Sequence, residues 1–200
     1  MTKPTIDEIK NTMLSLKMKV FSAPFDMTLG GIRTKDNKAN TFNDWLFMLY
    51  HDATGKLCGT VEKGTTDAGL YYRLNPMQIN GTAIIQHSIQ HRGSYTYMEK
   101  GGHRGQEAFR QTGLMTYWRD ANRDEYLDFK GLPFIAVYNT NGHDMGTVGN
   151  LVNNWSAGCW GSTQKIMDKF YLLAQLQIKH LHTDKFSFAM IHENDFRRTN

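Results

Sequence analysis

The chain has 200 residues, a length that suits one domain with a sizeable core. Hydrophobic residues make up 40% and charged residues 21%, which excludes a disordered chain, and no apolar run is long enough for a membrane span. The net charge is +4, but the lysines and arginines are scattered, so we expect no nucleic acid partner.

The first predicted element is an amphipathic helix over residues 5–20. Thr5 and Glu8 have the spacing of a capping box, in which each side chain bonds the other's backbone N–H. Apolar residues then recur with helical spacing at Ile6, Ile9, Met13, Leu16 and Val20, and Pro24 ends the pattern. We expect residues 1–28 to form an N-terminal extension that either docks on the main domain, residues 29–200, or mediates assembly.

Short apolar runs then predict β-strands. Residues 29–43 are polar with turn signals, and a buried strand over 45–50 is followed by a hairpin return over 57–61. Further strands are predicted at 81–86, 114–118, 134–138 and 186–191, with 134–138 the strongest candidate for a central strand. A late helix begins at a Ser162 cap and runs to about Leu181. The order predicts a mostly β, α+β single domain.

Two stretches bear on metal binding, and neither predicts a metal site. His87 and His91 would share a helix face, but Gly93 and the β-rich surroundings argue against a helix there. Residues 119–124 resemble half of a calcium loop without its glycine and distal glutamate. Two cysteines are too few for a Cys-based zinc site. We therefore expect no metal and no cofactor.

The two cysteines, Cys58 and Cys159, allow a disulfide, two inert thiols or one reactive thiol. Cys58 lies in a plain hairpin, which indicates packing. Cys159 lies between small residues and aromatics, just before the predicted late helix. Backbone N–H groups near a helix N-terminus can hold an oxyanion, and that end of a helix lowers the pKa of a thiol. These surroundings favour Cys159 as a nucleophile.

A nucleophilic thiol needs a base, and His143 is the nearest histidine upstream of Cys159. It follows the apolar run 134–138, so a strand end would bring it opposite the cysteine. His103 and His91 are the next candidates. A buried structural cysteine with an ordinary loop histidine remains the alternative interpretation of the same residues.

The sequence Ser156-Ala157-Gly158-Cys159, with its upstream histidine and following helix, resembles the signature of L,D-transpeptidase (YkuD-type) catalytic domains. Other segments in the same order resemble a phage-like branch of that family, over about residues 30–196. They are Gly31-Ile32-Arg33, Phe42-Asn43-Asp44, residues 65–69, Asn75-Pro76, Gly81-Thr82-Ala83, Tyr117-Trp118-Arg119-Asp120, Trp155, Phe186-Ser187-Phe188 and Asp195-Phe196. The resemblance implies a β-rich domain whose cysteine attacks a peptidoglycan stem peptide and forms a thioester.

By this resemblance, Cys159 is the nucleophile and His143 the candidate base. Gly158 and the Cys159 N–H would help to form the oxyanion site, and Ser156 would brace the loop. The sequence departs from the family pattern at Ala157, where most members have a histidine. The family's base also lies a little further before the cysteine, at a spacing that falls on Asn141, which cannot act as a base.

The resemblance thus implies a phage-type cysteine enzyme acting on peptidoglycan peptides. It would be a transpeptidase if an amine resolves the thioester and a hydrolase if water does. Residues 1–5 do not lead into the apolar segment of a signal peptide. We therefore expect the enzyme to reach the bacterial cell wall from a virion or from within the host cell. The alternatives are a non-catalytic virion protein that self-associates through its N-terminal helix, or a wall-binding module that holds murein peptides without turnover.

Overall fold

The computed structural model describes residues 1–128, 131–146 and 151–196. Within these ranges the chain is a β-rich α+β fold, in agreement with the class predicted from sequence. The helices are α1 (Ile6–Ser15), α2 (Leu70–Leu74) and α3 (Gln164–Leu181). The strands are β1 (Thr28–Arg33), β2 (Asp44–His51), β3 (Leu57–Gly64), β4 (Thr82–Ile85), β5 (Ile89–His103), β6 (Gln106–Gln111), β7 (Met115–Asp120), β8 (Phe134–Ala136), β9 (Gly142–Asp144), β10 (Trp160–Ser162) and β11 (Lys185–His192).

The large sheet has eight strands in the order β10-β9-β6-β5-β11-β1-β2-β3. Its two edges nearly meet, because the Thr65 N–H donates to Gly161 O at 2.8 Å and the Gly161 N–H donates to Thr65 O at 3.0 Å. A smaller sheet has the order β4-β7-β8. The nearly closed sheet brings the residues after β3 against the strand that follows Cys159.

Both faces of the large sheet are covered, and β2 shows why its sequence is a continuous apolar run. Leu46 and Met48 point to the side packed by α3, while Phe47 and Leu49 point to the side packed by α1. The α3 side contains most of the aromatic core, including Tyr95, Phe109, Trp160, Phe170 and Phe188. The predicted strand 45–50 and its hairpin partner are confirmed as β2 and β3.

Helix α1 forms with the predicted capping box, since the Glu8 N–H donates to Thr5 Oγ1 and the Thr5 N–H donates to the Glu8 carboxylate. It ends at Ser15 rather than near Val20, because Lys17 adopts a positive φ of 58°. The Met18 N–H then bonds Met13 O at 2.9 Å. The apolar face of α1 is buried on the chain's own sheet through residues that include Ile9 and Met13.

Strand β1 lies inside the large sheet, between β11 and β2, although residues 29–43 are polar and contain turn signals. Its two glycines explain the difference. A Cβ on Gly30 would overlap the Phe47 ring and the Ala189 carbonyl, so only a glycine allows β2 and β11 to pack this closely. A central strand with Gly30 and Gly31 lacks the side chains by which buried strands are recognised in a sequence.

The expectation that residues 134–138 form a central strand is wrong. Only Phe134–Ala136 forms a strand, and it lies at the edge of the small sheet. Phe134 and Tyr138 pack on Tyr117, while Ile135 and Val137 on the alternate face are exposed. An apolar run of five residues indicates a strand but not whether both of its faces are covered.

The late helix is confirmed as α3, but Ser162 is not its cap. Ser162 belongs to β10 and donates its hydroxyl to Lys63 O at 2.7 Å, and Thr163 takes the N-cap position. No helix within the described residues is both long and apolar enough to cross a membrane.

Candidate active site

Cys159 lies directly before β10, at the end of a short loop that begins at Ser156. The Ser156 hydroxyl donates to Cys159 O at 2.7 Å and accepts from the Gly158 N–H at 3.1 Å. Gly158 has a φ of +128°, a conformation that favours glycine. Ser156 therefore holds both ends of the turn that presents the thiol.

Backbone hydrogen bonds join the loop from Ser156 to Cys159 to residues 65–69, the segment after β3. The Gly69 N–H donates to Ser156 O at 2.9 Å, and the Thr65–Gly161 pair fixes the strand that follows the cysteine. Asp67, between these two contacts, forms a buried ion pair with Arg33 at 2.8 Å. The position of Cys159 thus depends on a charged network in the middle of the sheet.

His143 lies in β9, which runs parallel to β10 and pairs it at Gly161. Its Nδ1 is 2.6 Å from Asp144 O, and since a carbonyl only accepts, Nδ1 carries the proton. Nε2 is then an unprotonated acceptor. It is buried and has no hydrogen-bond partner among the described residues. This is the tautomer that a general base requires.

His103, at the end of β5, joins the site as a second histidine. Its ring is stacked on that of His143, with the centroids 4.0 Å apart and the planes 5° from parallel. Its Nδ1 is 3.0 Å from Asn141 Nδ2, and Asn141 Oδ1 accepts from the Gln111 N–H at 2.9 Å. Asn141, on which the family spacing falls, therefore positions His103 with its side-chain amide.

Cys159, His103 and His143 form one group of titratable side chains. The Cys159 sulfur and one ring nitrogen from each of His103 and His143 all lie within 4.8 Å of one another. The thiol itself donates to Asn139 O at 3.6 Å. Catalytic hydrogen bonds are often long before a substrate binds, so this spacing suits proton transfer from the thiol.

Burial controls the charge of the group. It raises the pKa of the Cys159 thiol to about 11, against hydrogen bonding from the Asn141 backbone and the Arg104 charge, which both lower it. Burial also lowers the pKa of His143 to about 4, with the charge of His103 acting in the same direction. At neutral pH the site therefore holds a neutral thiol beside neutral imidazoles.

The expectation that a helix N-terminus lowers the thiol pKa is wrong. Cys159 is followed by the strand β10, and α3 begins only at Gln164. Burial against Met145 and Val152 removes water from the thiol, and α3 begins too far along the chain to compensate for that loss. A neutral thiol acts as a nucleophile only after its proton moves to a neighbouring base.

The same three side chains are the candidate metal ligands among the described residues. A metal ion binds in the plane of each imidazole ring, and two parallel rings stacked at 4.0 Å have no such point in common. One ring would have to turn first.

At the predicted half calcium loop, residues 119–124, the Arg73 guanidinium pairs with Asp120 and lies 3.7 Å from Asp124. It thus occupies the place where a cation would bind.

The remaining predicted candidates lie elsewhere. His91 is 3.3 Å from Gln86 O and accepts from the Thr116 N–H at 3.4 Å, and His87 packs on Trp118. Both contribute to the packing of β5 and β7. Cys58 is a free, half-buried thiol whose Sγ is 3.8 Å from an Asp52 oxygen. Cys159 is also free, so the two cysteines form no disulfide.

The thiol opens onto a cleft of about 360 Å³. Gly158, Thr140 and Ala83 line it together. Arg104, Arg119 and Tyr138 also line it. Sequence reasoning named His103 only as a substitute base and did not predict the two arginines. Their positions depend on the β5–β6 turn and on β7, which pair residues far apart in the sequence.

The chain was compared with models of protein families, with curated proteins and with solved structures, and none of them matches it.

Proposed function

We propose that the chain is a cysteine acyltransferase or hydrolase of the L,D-transpeptidase type that acts on peptidoglycan stem peptides. One observation carries the chemistry: the Cys159 thiol, which lines a cleft, and a ring nitrogen of His143 lie within 4.8 Å of each other, and His143 Nε2 is an acceptor without a partner among the described residues. The substrate class rests on the sequence resemblance over residues 30–196.

In the first step the thiol proton moves to His143 Nε2 as sulfur attacks the peptide carbonyl. The Cys159 N–H has no hydrogen-bond partner among the described residues and would donate to the developing oxyanion. The Gly158 N–H is already bonded to Ser156, so Gly158 contributes its backbone conformation rather than a donor. The C–N bond then breaks, and the amine leaves with the proton from His143.

The second step resolves the thioester. An amine or a water molecule attacks the acyl carbon, His143 takes its proton, and the sulfur leaves and regains a proton. An amine gives a crosslink and water gives a hydrolysed peptide. The half-exposed His103, stacked on His143, would hold the base in place through the whole cycle.

Turnover of muropeptides by matched variants tests this proposal. Cys159→Ser and His143→Gln should each lower turnover at least about a hundredfold, because one removes the nucleophile and the other the base. Cys58→Ser is the control and should keep wild-type turnover. His103→Gln should lower turnover less than His143→Gln. Wild-type turnover in Cys159→Ser would refute the proposal, and a larger loss in His103→Gln would assign the base to His103.

A wall-binding module is the second candidate, and the neutral, buried thiol favours it. A protein that only holds murein peptides needs the cleft but not an ionised sulfur. In that case muropeptides bind with equal affinity to the wild type and to Cys159→Ser, and neither protein turns them over. Binding measured by calorimetry beside the turnover assay separates the two functions.

A further inference from the structure

Gln111, the last residue of β6, is a buried glutamine whose amide is hydrogen-bonded at both ends. Its Nε2 donates to Gly113 O at 3.0 Å and to Ala136 O at 3.2 Å. Its Oε1 accepts from the backbone N–H groups of Tyr138 and Thr140, at 3.0 and 3.1 Å. Because carbonyls only accept and N–H groups only donate, these four partners fix which end of the amide is the oxygen.

The two N–H groups that Gln111 holds lie on either side of Asn139. Asn139 has a positive φ of 55°, a left-handed conformation that few residues other than glycine adopt. Its carbonyl oxygen accepts from the Asn141 N–H at 2.9 Å and from the Cys159 thiol at 3.6 Å. Gln111 therefore holds the backbone on both sides of the residue whose carbonyl contacts the sulfur.

The turn at Asn139 offers the sulfur of Cys159 a partner in each protonation state. The Asn139 carbonyl accepts the proton of the neutral thiol. Burial raises the pKa of the thiol to about 11, and a hydrogen bond from the Asn141 backbone, which favours the ionised sulfur, opposes this rise. The Asn141 side chain also contacts His103 at 3.0 Å and accepts from the Gln111 N–H at 2.9 Å. Gln111 thus supports the turn through its side chain and through its backbone.

Two buried tyrosines complete the network around Gln111. The Tyr117 hydroxyl donates to Gln111 Oε1 at 2.8 Å, and the Tyr95 hydroxyl donates to Thr140 O at 2.6 Å. Both rings belong to the aromatic core on the α3 side of the large sheet. A buried polar network whose members are all bonded is rigid, and the loss of one member leaves the others unsatisfied.

We propose that Gln111 is a positioning residue for Cys159, whose amide fixes the turn at Asn139 and so holds the sulfur within reach of the two histidines. Gln111 does not line the cleft, and it acts through the backbone of residues 138–141. A misplacement of about 1 Å at a reacting group can cost about a hundredfold in rate. The effect on turnover rests on the proposed function, whereas the effect on the hydrogen bond of the thiol does not.

The first test reads the S–H stretching band of Cys159 by Raman spectroscopy. Cys58→Ser is the background, because it leaves Cys159 as the single cysteine of the chain. Gln111→Met replaces the amide with an apolar side chain of similar length and releases the turn. The band should then move to higher frequency, because an S–H bond stiffens when its hydrogen bond to a carbonyl weakens.

Gln177→Met is the matched control, because Gln177 is also a fully buried glutamine bonded to backbone at both ends. Its Oε1 accepts from the Met27 N–H at 2.9 Å, and its Nε2 donates to Lys185 O at 2.9 Å. Neither Met27 nor Lys185 lines the cleft. Gln177→Met should lose stability as Gln111→Met does, but its S–H band should stay at the wild-type frequency.

The second test measures turnover of muropeptides at a temperature where thermal unfolding shows each variant to be folded. Gln111→Met should lower kcat at least about tenfold and leave KM within about threefold of the wild type, since the residue affects the sulfur and not the cleft wall. Gln177→Met should keep both constants. If Gln111→Met does not fold, Gln111→Asn takes its place, because its amide is one methylene too short to hold both N–H groups. It should give the same changes at smaller size.

An S–H band that stays unchanged in the folded Gln111 variant would overturn the proposal, and so would a kcat equal to that of Gln177→Met. A band that moves in a protein without any turnover, even in the wild type, would refute the proposed function and leave Gln111 as the residue that positions the thiol.

Discussion

Two buried polar regions of the molecule differ in how completely their hydrogen bonds are satisfied. In the network around Arg33, the guanidinium donates to Asp67 Oδ1 and to Ile85 O, each at 2.9 Å. Asp44 accepts from the backbone N–H groups of Thr34 and Thr66, also at 2.9 Å. Around Cys159, by contrast, His143 Nε2 is buried without a partner among the described residues.

The difference separates a region that holds the structure from a region with unused hydrogen-bonding groups. A buried polar group without a partner is costly, so it persists mainly where a ligand or a reaction uses it. The satisfied network fixes the segment from Thr65 to Gly69, and that segment in turn holds the cysteine loop. The Cys159 site can then keep its shape although His143 Nε2 and the Cys159 N–H have no partner among the described residues.

The largest expected effect is on stability, at the Arg33–Asp67 pair. Asp67→Ala leaves the buried Arg33 charge without its carboxylate, and we expect a loss of about 3–5 kcal/mol in the free energy of unfolding. His143→Gln should cost less, because Nε2 loses no hydrogen bond. Urea unfolding measures both. Glu125→Gln is the control, since it removes only an exposed ion pair with Lys38 at 3.9 Å. Equal losses for Asp67→Ala and Glu125→Gln would remove the distinction between the two regions.

The second effect is a loss of stability in acid, for which His91 is responsible in part. Burial lowers its pKa from 6.5 to about 4. Below pH 6.5 the unfolded chain binds a proton that the folded His91 does not, so stability falls as the pH drops from about 6.5 to 4. The contribution reaches at most about 3 kcal/mol, at about 1.4 kcal/mol per unit of pKa.

The pH dependence has to be measured as a difference between the wild type and His91→Gln. Burial raises the pKa of Asp44 and of Asp120 to about 6, and these carboxyls act in the opposite direction, because their stabilisation is lost as the pH rises through 6. The variant should lose less stability than the wild type between pH 6.5 and 4 in urea titrations. Parallel curves would contradict the prediction.

The third effect is smaller and concerns the backbone turn at Gly158. It compares the loss of turnover with the loss of stability when the conformation of this turn is disturbed. Gly158→Ala places a Cβ at a φ of +128° and 3.1 Å from Ala83 O, so we expect a cost of about 1–3 kcal/mol and a clear loss of turnover. Gly55→Ala is the control, because Gly55 also has a positive φ but no neighbour near its Cβ. The Gly55→Ala variant should lose some stability and keep wild-type turnover. Full turnover in Gly158→Ala would show that this turn does not position the thiol.

The smallest effect is at the far side of the sheet, in the capping box of α1. Thr5→Ala should lower the free energy of unfolding by about 1 kcal/mol, and Thr5→Ser should restore most of it. Turnover should not change, because α1 packs on the face of the sheet opposite α3. A loss of turnover in Thr5→Ala would mean that α1 contributes to the site.

Local patterns predicted the parts of the fold that depend on local interactions. The capping box at Thr5, the continuous apolar run of β2 and the apolar face of α3 are each visible over a few residues. Strand β1 was missed because Gly30 and Gly31 have no side chains, and the centre of the sheet needs that absence. Whether a strand or a helix follows Cys159 likewise depends on pairing with β9, and that pairing is not visible in the local sequence.

The candidate site was predicted only where its residues are close in the chain. Cys159, Ser156 and Gly158 share one loop, and their small side chains suggest carbonyl chemistry in the sequence alone. His103 and Arg104 enter through the β5–β6 turn, and their stacking and charge depend on tertiary structure. The thiol pKa was misjudged for the same reason, because burial is a property of the packed molecule.

The most direct test of the central claim is the intact mass of the protein after brief incubation with muropeptides and an acid quench. We predict that the wild type and Cys58→Ser both gain the mass of the acyl part of the stem peptide, as a thioester on Cys159, and that Cys159→Ser gains nothing. A wild type that binds the muropeptide but shows no adduct under any quench time, or an adduct that persists in Cys159→Ser, would contradict the account.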